Sequence, residues 1–142
     1  MTYQSMIEKK ISKKDQRKLN IEQDYKRESE IHQKNYTKYI LAKEGQYYDD
    51  IAEKLDIWLW ELLKYNESDT DRLLREGEKV YLQPKRKRGT KFYHIVAKGE
   101  TMYYISQLYG IKLKYLYKKN RMEAGSEPYV GQKIHLVKKI KF

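Results

Sequence analysis

Asp49 and Asp50 stand side by side, and paired carboxylates are the working groups of glycoside hydrolysis. That reaction needs its two carboxyls across a cleft, roughly 5–9 Å apart, whereas sequence neighbours share one small surface. With 20 acids in the chain, near pairs arise by chance. His94 and His135 fall on segments with strand spacing and are expected to point away from the core of a two-stranded ribbon, close to each other. Three histidines without a single cysteine make a weak zinc case. No serine sits in a nucleophile-elbow context, and no glycine-rich loop matches a phosphate cradle. The expectation is a protein with no catalytic residues, no metal site and no cofactor.

What remains is surface chemistry. Lysine and arginine number 31 against 20 acids, a surplus of +11 that favours anionic partners such as nucleic acid, acidic lipid headgroups or anionic wall polymers. The run Lys85-Arg86-Lys87-Arg88 would neutralise several phosphates, which keeps nucleic acid as an alternative partner. Against it, basic residues are spread through the whole chain and no recognised nucleic-acid motif accompanies them. Fifteen tyrosines combine apolar faces with polar tips, suited to sugars or bases and equally to the cores of small domains. The longest apolar stretch falls far short of the roughly 20 residues of a membrane span, and the N-terminus carries charge where a signal peptide needs an apolar run. A soluble, monomeric chain is expected, either cytoplasmic or a piece of something exported by a segment outside it.

The elements that must position any site are given by an internal repeat. Tyr39, Gly45, Ile51, Ile57, Leu59, Leu62, Lys64, Asn66, Gly77, Lys79 and Leu82 recur 54 positions later as Tyr93, Gly99, Ile105, Ile111, Leu113, Leu116, Lys118, Asn120, Gly131, Lys133 and Leu136, without a gap. Alternation marks a strand at each end of the unit. Between them Met102, Ile105 and Tyr109, then Leu113, Leu116 and Tyr117, fall at helical spacing. Thr101 suits an N-cap and Gly110 a left-handed helix end; the first copy has Tyr47 and Asp56 there, so it should be the less stable. Asn66 and Asn120 stand where the second helix of each copy ends and are expected to adopt the left-handed conformation. The predicted architecture is α+β: two βααβ modules, each a two-stranded antiparallel sheet with both helices packed on one face. Residues 1–36 read as a charged leader, partly helical or disordered, 37–84 as the first module, 85–90 as a basic linker, 91–138 as the second module and 139–142 as a tail. Two beads on a short tether is the expected arrangement.

The opening Tyr93-His94-Ile95-Val96-Ala97-Lys98-Gly99-Glu100-Thr101-Met102 and the closing Tyr129-Val130-Gly131-Gln132-Lys133-Ile134-His135-Leu136 resemble the two ends of a LysM domain, in order. The first copy departs at its turn, where Gly45-Gln46-Tyr47-Tyr48 replaces the acid and threonine. The tandem with a basic spacer is also similar to the tail that follows the glucosaminidase domain in some bacterial wall hydrolases. The resemblance implies non-catalytic binding of glycan containing N-acetylglucosamine, peptidoglycan or a chitin-like polymer, in the cell envelope or outside the cell. It places the ligand between the first strand-to-helix turn and the loop after the second helix. In the second copy these are Gly99, Glu100, Thr101 and Met102 facing Asn120, Arg121, Met122 and Glu123; in the first they are Gly45, Gln46, Tyr47 and Tyr48 facing Asn66, Glu67, Ser68 and Asp69. Backbone groups at the helix start would hold the acetamido group, and Met102 or Met122 would meet its methyl. A repeat that has lost its ligand and serves as a spacer is the third expectation.

Overall fold

The computed structural model describes residues 31–141. The expected helical or disordered character of the leader therefore concerns, over residues 1–30, a stretch outside the described residues.

In the first copy β2 (Thr37–Leu41) pairs antiparallel with β3 (Lys79–Tyr81), and α1 (Tyr48–Leu55) and α2 (Leu59–Tyr65) lie between them in sequence. The second copy repeats this with β4 (Tyr93–Ile95), α3 (Met102–Tyr109), α4 (Leu113–Lys119) and β5 (Lys133–His135). The α+β reading therefore holds, with one addition. β1 (His32–Lys34) pairs antiparallel with β2, so the first sheet has three strands and residues 32–36 belong to the fold. Asn35 and Tyr36, both at positive φ, turn the chain in a two-residue hairpin whose twist suits that of the strands.

Each module closes over its own core. α1 buries Tyr48, Ile51, Ala52 and Leu55, at i, i+3, i+4 and i+7, beneath Val80 and Leu82. The second core joins Val96, Met102, Ile105, Ile111, Leu116, Tyr117, Ile134 and Leu136. The two first helices are capped by opposite halves of one device. Thr101 Oγ1 accepts from Tyr104 N at 3.0 Å, whereas Tyr47 gives no such bond and the Asp50 carboxylate accepts from Tyr47 N at 2.8 Å. Both helices end left-handed, at Asp56 (φ 54°) and Gly110 (φ 67°). Gly110 has a second reason to lack a side chain: a Cβ there would lie 3.2–3.3 Å from Asn35, Lys34 and Tyr81.

Asn66 and Asn120 are not left-handed, with φ of −102° and −100°; the left-handed residues are their successors Glu67 and Arg121. The asparagines are needed for their side chains. Asn66 donates to Leu62 O and Tyr81 O and accepts from Tyr81 N, and Asn120 bonds Leu116 O, His135 O and His135 N in the same way. Each fastens the end of the second helix to the closing strand.

The tethered picture gives way to a docked one. Arg86 bridges to Ile111 through backbone bonds on both sides, Gly89 N donates to Leu136 O, and Asn35 reaches Gly110 O and Arg88 O. Between the modules the Lys85 ammonium, fully covered, meets Glu67 Oε1 and Gln107 Oε1, both at 2.6 Å, and Ser106 Oγ at 3.3 Å. Gln107 donates to Asn66 Oδ1 and Lys79 O, Tyr81 donates to Gln107 O, and Glu67 accepts from Leu113 N. Lysine in this setting loses hydration, which pushes its pKa below the usual range, and the Glu67 carboxylate opposes that shift.

Candidate functional site

The two strand-to-helix turns have nearly identical backbones, with Gly45 and Gly99 both at φ 83° and Tyr47 and Thr101 at φ −106° and −103°. The loops opposite them differ. In the first copy Tyr47 pairs with Leu73 in an antiparallel bridge, Leu74 N donates to Gln46 O at 2.8 Å, and Asp49 N donates to Asp71 Oδ1 at 3.3 Å. Turn and loop are stitched together by backbone. In the second copy the residue matching Leu74 is Pro128, which has no N–H to give, and no bond to Glu100 O takes its place among the described residues. A carboxylate crosses the gap instead: Glu127 Oε1 accepts from Met102 N, at the start of α3, at 3.0 Å.

Of the residues expected to bind ligand, Gly99, Thr101, Arg121 and Glu123 are exposed, while Glu100 and Met122 are half-buried. Met102 is not a wall: its side chain is wholly inside the core, because it is the first apolar residue of the face that α3 packs inward. Only its N–H reaches the gap. Met122 keeps the apolar role, lying against the core with Gln132 Nε2 3.8 Å from its sulfur. Asn120 and Asn66 are buried in the bonds described above and present nothing to a ligand. In the first copy Gly45, Tyr47 and Asp69 are exposed and Gln46, Glu67 and Ser68 half-buried, but Glu67 is engaged with Lys85 and Leu113. Tyr48 is fully buried, its hydroxyl 3.4 Å from that of Tyr103 and within reach of Arg72, which is paired with Glu78. It fills space between the modules and offers no face to a sugar.

The two histidines lie on opposite faces of the ribbon. His135 pairs with Tyr93, and their rings meet edge-on; His94 pairs with Ile134 and turns to the helix side. The strand is one residue out of the expected phase, which exchanges faces: Tyr93 and Ile95 are exposed, and Val96 is buried. His94 occupies the place of core-packed Ile40 and is satisfied there by Tyr109 OH at 2.6 Å and Glu100 Oε1 at 2.8 Å. Glu100 also accepts from Ala97 N, and despite some desolvation these bonds hold its carboxyl below the usual range. The sequence reading missed Glu127, Pro128 and this Tyr109–His94–Glu100 chain. For the first two, the signal was the mismatch of Leu73 and Leu74 with their partners 54 positions on.

Burial raises the pKa of Tyr48 and Tyr81 above the ordinary tyrosine range, and Tyr103 follows. A raised folded value gives stability that is full below the unfolded pKa near 10 and lost above it, about 1.4 kcal/mol per tyrosine per pH unit. Lys85 and Lys79, lowered mainly by burial, act the other way only up to their ordinary range near 10.5. The expected result is cooperative alkaline unfolding, followed by circular dichroism, with the midpoint of thermal melting dropping from about pH 10.5 upward. A melting temperature that stays level to about pH 12 would contradict the assignment of these hydroxyls to the interior.

The family model described as LysM domain matches residues 42–82 and 94–136, more than half of the chain. Among solved structures, the Bacillus cereus spore cortex-lytic enzyme SleL is 25% identical, over 72% of this chain and 23% of that one, with a TM-score of 0.32. The Bacillus megaterium QM B1551 spore cortex-lytic enzyme SleL is 17% identical, over 70% of this chain and 22% of that one, also with a TM-score of 0.32. The chain thus spans less than a quarter of the length of either enzyme. No curated protein matches it.

Proposed function

The chain belongs to the LysM domain family, and on that premise we propose that it is a non-catalytic binder of N-acetylglucosamine-containing glycan, peptidoglycan foremost, whose working groove is that of the second copy. LysM domains bind glycans of this class, without catalysis, and are typical of wall-associated or extracellular proteins. Anchoring of a wall hydrolase by this chain is part of the proposal.

The observation that carries it is the carbonyl of Glu100. Its counterpart, Gln46 O, is consumed by Leu74 N, whereas Pro128 leaves Glu100 O open across the same gap. An acceptor beside the N–H groups of a helix start suits an acetamido group, which has one N–H to give and one carbonyl to be held. Met122 supplies the apolar contact for its methyl, and Glu127 is the residue a ligand carbonyl competes with for Met102 N. Gly99 completes the turn: at φ 83° a side chain is strained, and the open space beside it is where ligand would lie. The first copy, stitched shut, fits the reading of a repeat that has lost its ligand and supports its neighbour.

The test is a titration with an N-acetylglucosamine oligomer, followed by NMR shifts and calorimetry. Shifts are expected on residues 99–102 and 121–128 and not on 45–48. Met122→Asp and Pro128→Leu should each weaken binding by about tenfold, or about 1.4 kcal/mol, the second by giving Glu100 O an internal donor. Shifts centred on the first copy's turn, or on the outer strand face around Tyr93 and His135, would sink the groove assignment.

A further inference from the structure

The positive charge of the chain is not shared between its halves. Residues 1–84 carry 16 lysines and arginines against 17 acids, whereas residues 85–142 carry 15 against three. Much of this surplus converges on one face. α4 contributes Lys114, Lys118 and Lys119 and the segment between the modules Lys87 and Arg88, while the segment after β5, which carries the exposed Lys138 and Lys139, is held by its backbone against the end of α4. The three segments are tied together: Lys119 Nζ donates to Lys87 O at 2.6 Å, and Ile140 N donates to Lys119 O at 2.7 Å. At the centre is Tyr115, with the ammoniums of Lys87, Lys118 and Lys119 at 5.2, 5.6 and 6.0 Å from its ring centroid. The crowding is felt by the groups themselves. Lys87 first, then Lys114 and Lys118, pull the Tyr115 hydroxyl below the usual tyrosine range, and Arg88 adds to burial in lowering Lys119.

The fold does not require this face. In the first copy the same helix positions hold Trp60, Glu61, Lys64 and Tyr65, with Tyr65 OH donating to Glu61. Replacing that set with Lys114, Tyr115, Lys118 and Lys119 puts like charges at i, i+4, an arrangement that costs helix stability. Two of the second copy's three acids are engaged elsewhere, Glu100 with His94 and Glu127 with Met102 N, so they do not neutralise it.

We propose that the α4 face, centred on Tyr115, is a second binding surface that takes a linear phosphodiester polymer of the anionic wall type, with polyol or sugar repeats. Lysine ammoniums are hydrated point charges that hold phosphate without fixing its direction, and several in a row suit a chain carrying one charge per repeat. A nucleic acid is the less fitting polyanion. Single-strand binding rests on aromatic faces open to bases, and the ring of Tyr115 is already met by ammoniums. This surface is separate from the glycan groove and stands without it.

The experiment measures binding of the full chain to lipid-free poly(glycerol phosphate) between about 50 and 200 mM salt, a range over which a handful of phosphate contacts should cost on the order of tenfold or more. The combined Lys87→Gln, Lys114→Gln, Lys118→Gln and Lys139→Gln variant is expected to lose on the order of tenfold at low salt, with a flatter salt dependence. The milder pair Lys114→Gln and Lys118→Gln, both exposed on α4, covers the case in which four changes disturb the fold, and should lose several-fold. Removing four exposed charges elsewhere, by Lys43→Gln, Lys54→Gln, Lys64→Gln and Arg75→Gln, should leave binding unchanged. Unaltered binding in the milder pair, an equal loss in the control, or tighter retention of single-stranded DNA than of the polymer would each overturn the proposal. The N-acetylglucosamine oligomer titration, run on the same variants, reports on the groove independently.

Discussion

Leu116→Ala is expected to unfold the second module. Leu116 is completely buried in a cluster of eight core residues, and its carbonyl receives the Asn120 amide that fastens α4 to β5. Truncating a leucine so placed costs roughly 2–5 kcal/mol, through lost transfer energy and the cavity left behind. A core of this size supplies only about 3–5 kcal/mol of net stability, so the loss is comparable to everything the module has. Ile105→Ala, one turn into α3, should act in the same way, and Ile51→Ala or Leu62→Ala should do so in the first module. The check is the dispersion of an NMR spectrum at room temperature. Wild-type dispersion in Leu116→Ala would mean that the core has been misassigned.

The second large effect is expected from Lys85→Ala, which should uncouple the modules while leaving each core whole. The variant removes a covered ammonium from between Glu67, Gln107 and Ser106 and leaves three acceptor oxygens facing the space it occupied. Breaking a buried pair costs roughly 3–5 kcal/mol; Glu67, a quarter exposed and still accepting from Leu113 N, places this case near the lower end. Lys85→Met keeps the apolar stem, so the difference between the two variants separates packing from charge. Denaturant melts are expected to change from one transition into two, the module cores unfolding separately. A single transition at the wild-type midpoint would show that Lys85 does not hold the modules together.

The parts of this fold that were legible in the sequence are those fixed by local rules. Helix spacing placed Ile105 and Leu116 in the core, the cap residue Thr101 and the terminal Gly110 bounded α3, and the repeat carried all of this to the first copy. β1 was hidden because an edge strand needs only backbone pairing, and His32, Gln33 and Lys34 show no apolar alternation. The docking was hidden for a related reason. Ser106, Gln107 and Lys85 look like surface residues until a partner more than twenty positions away covers them. The phase of β4 was misread because Tyr93 and Ile95 are more apolar than His94, and nothing local says that Tyr109 and Glu100 will satisfy an inward histidine. Of the residues proposed for the groove, Gly99 to Thr101 lie at the strand-to-helix turn that the repeat marked, while Met102 went to the core because helix periodicity has first claim on an apolar residue at a helix start.

The contact between the modules joins unlike surfaces, the closing strand and helix end of one copy against the first helix of the next, and a heterologous contact of this kind can in principle be extended indefinitely. What decides whether it propagates is the surface left over. A third unit stacked by the same geometry would meet Arg121 where the second meets Glu67, and His135 where it meets Tyr81. Its helix amide would find a cation in place of the carboxylate that receives Leu113 N, and no phenol would reach its α-helical carbonyl. The path is also obstructed, since Ile140 O accepts from Arg121 Nε and holds the following segment across that end of α4. The free end of the second copy therefore does not repeat the socket that the first copy offers: the carboxylate has become a cation, the phenol an imidazole, and the following segment lies across the opening.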